Sequence, residues 1–242
     1  MAVIINDVYQ KVLAIANKEQ RGYITPQEFN LFANQAQMDI FEQYFYDINQ
    51  FGRVPGNSTG YSDMINILNE KIDVFQKNHV DMSAVSGATA TLPTDVYRLG
   101  TVFYNNGSSS IKVEKVDSNE IELMNQTALY KPTSARPVFV RKNATQILIY
   151  PTSSSPSYST STLNCHYIAK PATVKWTYTV SDTYKALYNA GASDAVDFEL
   201  HKSEENNLIE KILQLAGIST KDSVLYQAAS AEEQKSIQQE KQ

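Results

Sequence analysis

The chain is poor in the residues that carry most protein chemistry. Its 242 residues include one cysteine, Cys165, one tryptophan, Trp176, and three histidines. A lone cysteine forms no intrachain disulfide and supplies no thiolate-rich metal site, and it fits a chain folded in a reducing cytoplasm. His79, His166 and His201 stand far apart, so HExxH and HxH spacings are missing. So are the P-loop, GxGxxG and GxSxG signatures. The nine glycines fall at expected turns and helix ends. No run of Lys and Arg offers the basic stripe with which a general nucleic-acid binder neutralises phosphates, and the net charge is −5 with a pI of 5.3. No stretch approaches the roughly 20 apolar residues that span a bilayer. The opening Met1-Ala2-Val3-Ile4-Ile5-Asn6-Asp7 has no basic n-region and no small-residue cleavage site, so no secretory signal is expected.

What is present is globular. Apolar residues make up 42% and charged residues 19%, a balance able to bury a core as one large or two small domains. The aromatics lean towards tyrosine, 15 against nine Phe. Tyrosine buries a ring and keeps a polar tip, which suits packed interfaces and strands alike.

Periodicity predicts three helices first. Val8, Val12, Ile15 and Ala16 share a helical face, giving a helix over about 3–20 that ends before Gly22. Thr25-Pro26-Gln27-Glu28 is a capping box with proline in the first turn, opening a helix to about Gln50. Its apolar positions Phe29, Phe32, Ala33, Ala36, Ile40, Tyr44 and Ile48, widened by Phe41 and Phe45, predict contacts on two sides. Residues 52–57 read as a loop, and Tyr61, Ile65, Leu68, Ile72 and Phe75 place a third helix over about 61–78.

The register changes near residue 87. Asn105-Asn106-Gly107 is a turn before the alternating strand Ile111–Val116, and Asp117–Glu120 resembles another capping box. Residues 137–141 and 146–150 predict a hairpin, and 163–168 and 174–178 further strands. The Ser/Thr/Pro-rich stretch 151–162 reads as a surface loop. Ser193 or Asp194 is expected to cap a helix running to Ala216, with Val196, Leu200, Leu208, Ile212 and Leu215 inside and Gly217 beyond its end. A last helix is expected from Ser219, almost wholly polar after Ala231 and therefore ordered only by a partner, or frayed. The expected fold class is α+β: a helical N-terminal region (1–86), a central antiparallel β region (87–180) and long C-terminal helices (181–242), read as one composite domain with a docking arm.

No catalytic, cofactor-binding or metal-ligating set emerges. Cys165 and His166 are adjacent, but neighbouring side chains of a strand point to opposite faces and share no proton. Asp194, Asp197 and Glu199 crowd a predicted helix start, where acids complement the dipole without forming an oxygen cage. Glu204-Glu205 is read as a solvated face. Lys18, Arg21 and Arg53 are read as scattered surface charge.

Residues 16–30, Ala16-Asn17-Lys18-Glu19-Gln20-Arg21-Gly22-Tyr23-Ile24-Thr25-Pro26-Gln27-Glu28-Phe29-Asn30, continuing through Gln37-Met38-Asp39-Ile40-Phe41-Glu42, resemble structural proteins of short-tailed bacteriophages, in particular the crAss-like group. Leu92-Pro93-Thr94-Asp95-Val96-Tyr97-Arg98-Leu99 resembles the approach to a strand in such virion proteins. The plan of helices, β insertion and C-terminal helices is similar to head-to-tail connector subunits, the adaptor rings of the neck. The resemblance implies a ring of identical subunits, commonly a dodecamer, docked beneath the portal protein and against other neck or tail rings. DNA would pass through its lumen without sequence-specific contact. The ring would belong to the virion, be assembled in the host bacterial cytoplasm, and need neither cofactor nor membrane. The C-terminal tail of such subunits often reaches into the portal, and residues 221–242 hold that position here.

On this reading the chain is not an enzyme. Its subunit interface is expected at Phe41, Tyr44, Phe45 and Tyr46, and its portal-docking arm at Val224, Leu225 and Ile237. Repeated acidic charge around a lumen would let DNA slide. The alternative from another class is a tail-associated β-rich module that binds a receptor or glycan, with Trp176 and the Ser/Thr-rich loops as its contact surface. An enzyme assembled from distant carboxylates has no support in the spacing.

Overall fold

The computed structural model describes residues 2–17, 24–52, 59–152, 158–181, 186–220 and 223–240. The chain divides into two compact units, one made of Met1–Val74 with Pro171–Gln242 and one of Phe75–Lys170. The second unit is thus an insertion in the first. The divisions fall at 74/75 and 170/171, where the sequence reading placed changes of character at 86/87 and 180/181.

The discontinuous unit begins with a short strand β1 (Ala2–Val3), then α1 (Ile5–Asn17), α2 (Pro26–Gly52) and α3 (Thr59–Asp73). The capping box forms as the sequence dictates. Glu28 Oε2 accepts from the Thr25 amide at 3.0 Å and from its hydroxyl at 2.7 Å, while the Glu28 amide donates to Thr25 Oγ1 at 3.3 Å. These bonds hold the Glu28 carboxyl below its usual range. The start of α1 is capped from far away: the Ile5 amide donates to Asp197 Oδ1 at 2.9 Å.

The insertion carries strands β2 (Gln76–Asp81), β3 (Ala84–Ser86), β4 (Thr89–Thr91), β5 (Val96–Asn105) and β6 (Ser110–Lys115), helix α4 (Ser118–Gln126), then β7 (Val138–Arg141), β8 (Gln146–Tyr150) and β9 (Leu163–Ala169). They form one eight-stranded sheet in the order β2-β9-β5-β6-β7-β8-β4-β3. All neighbours are antiparallel except β6 and β7, paired in parallel through Glu114–Val138 and Lys115–Phe139. A parallel pair needs a crossover connection, and α4 supplies it. The main core lies on one face, around Val102, Tyr104, Val113, Phe139, Ile147, Ile149, Leu163 and Cys165. Ile121 of α4 packs with Val116, Val138 and Val140 in a smaller cluster. Gly107, at φ +90°, turns β5 into β6. At Gly100 a Cβ would sit 2.9 Å from the carbonyl oxygen of His166, so only glycine permits the close approach of β5 and β9 beside their register shift.

The chain then returns to the first unit through β10 (Tyr178–Val180), β11 (Ala186–Tyr188) and β12 (Phe198–His201), a 3-10 turn at Lys202–Glu204, α5 (Glu205–Thr220) and α6 (Ser223–Glu240). Strand β12 pairs antiparallel with β1, and α5 packs against α1, α2 and α6.

The expected layout of the α+β class is therefore corrected in four ways. The N-terminal region is not simply helical, because β1 joins the far end of the chain. The central sheet is mixed, not antiparallel throughout. The long helix expected from Ser193 or Asp194 does not form: residues 198–201 are a strand, and α5 begins only at Glu205 and continues through Gly217. Phe198 and Leu200 alternate inward beside exposed Glu199, a period of two that a helical reading of the same apolar residues obscures. The third helix also stops early, at Asp73; Gln76–Asp81 pair with β9 instead. That strand is exposed at nearly every position, so it carries no apolar pattern of its own.

Candidate assembly surfaces

The aromatic stripe of α2 splits between inside and outside. Phe41 and Tyr44 are buried within their own unit, while Phe45 is half-buried and Tyr46 is 66% exposed. Phe41 meets Phe45 edge-on, with ring centroids 5.1 Å apart. Of the four residues expected at a subunit interface, Phe45 and Tyr46 therefore keep surface to offer a neighbour. Phe41 and Tyr44 are core. For the expected docking arm, the backbone of Val224, Leu225 and Ile237 lies in α6, and their side chains are outside the described residues. The middle of α6 is not a free arm: Ala229 is buried, and Glu233 is held by Lys211 of α5 at 2.6 Å.

The polar face of α2 does structural work that spacing alone did not reveal. Asn30, Asn34 and Gln37 follow one another along the helix and act as a substitute strand edge. Asn30 Oδ1 accepts from the Trp176 amide at 2.8 Å, and its Nδ2 donates to the Trp176 carbonyl at 3.2 Å. Asn34 repeats this with Val174, both bonds at 2.9 Å. Gln37 Nε2 donates to the Ala172 carbonyl at 2.9 Å, and its Oε1 accepts from the Glu199 amide at 3.4 Å. Along one edge of the extended segment, residues 172, 174 and 176 thus bond to side-chain amides where a sheet would use main chain, while Lys175 pairs with the main chain of Val196.

That ladder seats Trp176 in the core at 1% exposure, against Tyr9 at 4.1 Å and stacked with Tyr178 and Tyr188 at 5.7 and 5.8 Å between centroids. Its indole N–H donates to Asn6 Oδ1 at 3.2 Å. A side chain so enclosed offers no stacking platform to a sugar, which removes the tryptophan from the glycan-binding alternative.

A second buried polar group lies where the sequence predicts a solvated face: Glu204 is 2% exposed. Its Oε1 pairs with Lys71 of α3 at 2.6 Å and its Oε2 accepts from Asn207 at 2.9 Å, while the Lys71 ammonium lies 5.8 Å from the centre of the Tyr44 ring. Nearby Asp47, Glu210 and Lys211 line the same small cavity of about 30 Å³, room for one or two waters and no more. Glu210 stands apart electrostatically. Burial, then Glu232 and Glu233, push its carboxyl above the usual range.

The acids expected at a helix start each have another use. Asp194 takes Lys175 at 2.5 Å, Asp197 caps α1, and Glu199 accepts from the Ala172 amide at 2.9 Å. Cys165 and His166 point to opposite faces, as a strand requires. The thiol is buried in the core, which pushes it up to about 11. His166 faces outward, where its Nδ1 lies 2.6 Å from Asn78 Oδ1 and its ring meets His79 and Phe103 edge-on at 4.5 and 4.9 Å. Burial and then His79 lower its pKa. Lys18, Arg21 and Arg53 lie outside the described residues. Among the described residues no three His, Cys, Asp or Glu side chains converge as metal ligands, and no helix is long and apolar enough to cross a membrane.

Among its polar positions the described surface also exposes large apolar side chains. Leu129, Leu31, Tyr46, Tyr130 and Leu123 are each at least 65% accessible. The chain matches no protein-family model and no curated protein.

Proposed function

We propose that this chain is a structural subunit of the head-to-tail connector of a tailed bacteriophage, assembling with copies of itself into a ring beneath the portal, through which DNA passes. The observation that carries the reading is where the side chains are spent. Buried acids and amides are consumed in holding helices and extended segments together, as in the Lys71–Glu204 pair and the Asn30–Trp176 bonds, while large apolar side chains are left on the surface. Self-association by buried area is the use that such a surface supports. The phage resemblance of residues 16–30 and 92–99 supplies the identity of the assembly, with a dodecamer, a portal above and further neck or tail rings below. Phe45 and Tyr46 of α2 contribute to contacts between subunits, and the C-terminal residues of α6 face the portal. In the virion the acidic balance of the chain keeps DNA from adhering to the lumen.

The test is the native mass of the purified protein followed by electron microscopy of the same sample. Closed rings of uniform size, and the protein's presence in purified particles, are expected. A chain that stays monomeric at high concentration and is missing from particles overturns the proposal.

A further inference from the structure

The discontinuous unit carries a groove on the side where α1, α5 and α6 meet. Its volume is about 530 Å³, space for several large side chains, and it is floored by Ile15, Ile209, Leu213, Ala228 and Ala229. Charge around it is almost fully paired. Lys11 pairs with Glu205, Lys211 with Glu233 at 2.6 Å, and Lys235 with Glu232 at 2.7 Å. Glu210, which lines the groove, is the carboxylate left over: its Oε2 is buried and accepts no hydrogen bond among the described residues. An occupant that fits is apolar and brings one cation.

The inserted unit presents such an occupant. After α4 the chain makes one more turn, in which the Tyr130 and Lys131 amides donate to the Thr127 carbonyl at 3.1 and 3.0 Å. That turn holds Leu129 at 83% and Tyr130 at 66% exposure beside Leu123 of α4, at 65%. Lys131 follows directly, exposed and without an ion pair among the described residues. A fixed apolar knob with one unmatched cation therefore stands on one unit, and an apolar groove with one unmatched carboxylate on the other.

We infer that the Leu129–Tyr130 knob of one copy seats in the α1/α5/α6 groove of the next, with Lys131 approaching Glu210. The inference rests on the ring reading and names the contact that makes the ring. Two different surfaces meet, so the contact is heterologous and propagates head to tail, which is what a closed ring requires.

Two variants and their mixture test it. Leu129→Asp with Tyr130→Asp removes the knob and leaves the groove. Ala228→Trp fills the groove at an exposed position and leaves the knob. Each alone is expected to lose association at least tenfold in sedimentation velocity, with Trp176 emission and circular dichroism unchanged for the knob variant, and circular dichroism unchanged for Ala228→Trp. Mixed one to one, they are expected to give discrete heterodimers, because each pair retains one intact knob and one intact groove. If the wild-type chain associates but either variant associates equally well, or the mixture stays monomeric, the knob-and-groove contact is wrong and the ring reading survives. If the wild-type chain itself never associates, the ring reading fails first.

Discussion

Asn30 and Trp176 are 146 residues apart in sequence, yet the carboxamide of one closes both main-chain hydrogen bonds of the other, at 2.8 and 3.2 Å. A helix side chain thus does the work of a neighbouring strand, and it fixes where the only tryptophan sits. Replacing Asn30 by Ala strands a buried N–H and a buried C=O. At about 1–3 kcal/mol for each unsatisfied group, the loss of stability should be about 2–6 kcal/mol. Urea unfolding followed by Trp176 fluorescence reads it directly, because no other tryptophan contributes. Asn30→Asp keeps an acceptor and, while protonated, an O–H donor, so it should then fall between wild type and Asn30→Ala; once ionised it loses the donor, faces the Trp176 carbonyl and should fall further.

The Lys71–Glu204 pair links α3 to the turn before α5 with both partners nearly out of water. Glu204→Ala takes a buried carboxylate away from the ammonium and should lower stability by at most about 3–5 kcal/mol. Lys71→Met combined with Glu204→Leu removes both charges of the pair together and should cost less than the sum of the two single replacements. A double-mutant cycle in denaturant measures the difference, and a strictly additive result would refute the coupling.

Glu210 should act in the opposite sense. Its carboxyl is held above the ordinary value of 4.5 by burial and by Glu232 and Glu233. The folded chain therefore binds that proton more tightly than the unfolded chain, and stability falls as pH rises from about 4.5 through the raised value. Glu210→Gln removes this loss. In dilute monomeric protein it should raise the melting temperature at neutral pH, a gain of roughly tenths of a kcal/mol, since the site is only partly shielded from solvent. The gain should vanish below the ordinary carboxylate range, as a pH series of thermal melts will show. The same replacement should weaken association if Lys131 of a neighbouring copy is the partner that Glu210 lacks.

Gly100→Ala tests the close passage of β5 and β9. The added methyl lies 2.9 Å from the His166 carbonyl oxygen, main chain that cannot simply swing aside. Overpacking of this kind costs about 1–3 kcal/mol. Faster amide hydrogen exchange along β5 and β9 is the expected signature, and unchanged protection there would show that the strands shift freely.

Local signals in the sequence proved reliable where the physics is local. The capping box at Thr25 and Glu28 needs only four residues, and α2 begins at Pro26 as it dictates. The turn at Gly107 and the hairpin of β7 and β8 likewise depend on neighbours in the chain. The strand alternation that separates Cys165 from His166 is a property of the strand alone. The layout of the C-terminal third was not legible, because Val196 and Leu200, four residues apart, fit a helical face until β1 is there to pair with the strand that holds Phe198 and Leu200. Nor was the burial of Glu204, since nothing near it in sequence announces Lys71.

By itself, then, the amino-acid order determined the start of α2, the turn at Gly107, the alternating faces of β9 and the absence of familiar catalytic or metal-binding spacings, all of which arise within a few residues. Only the tertiary structure decided which aromatics of α2 stay at the surface, that Trp176 is enclosed, and that Leu129 and Tyr130 stay exposed. Burial is a property of what comes from elsewhere in the chain to cover a side chain, and a one-dimensional pattern does not contain it.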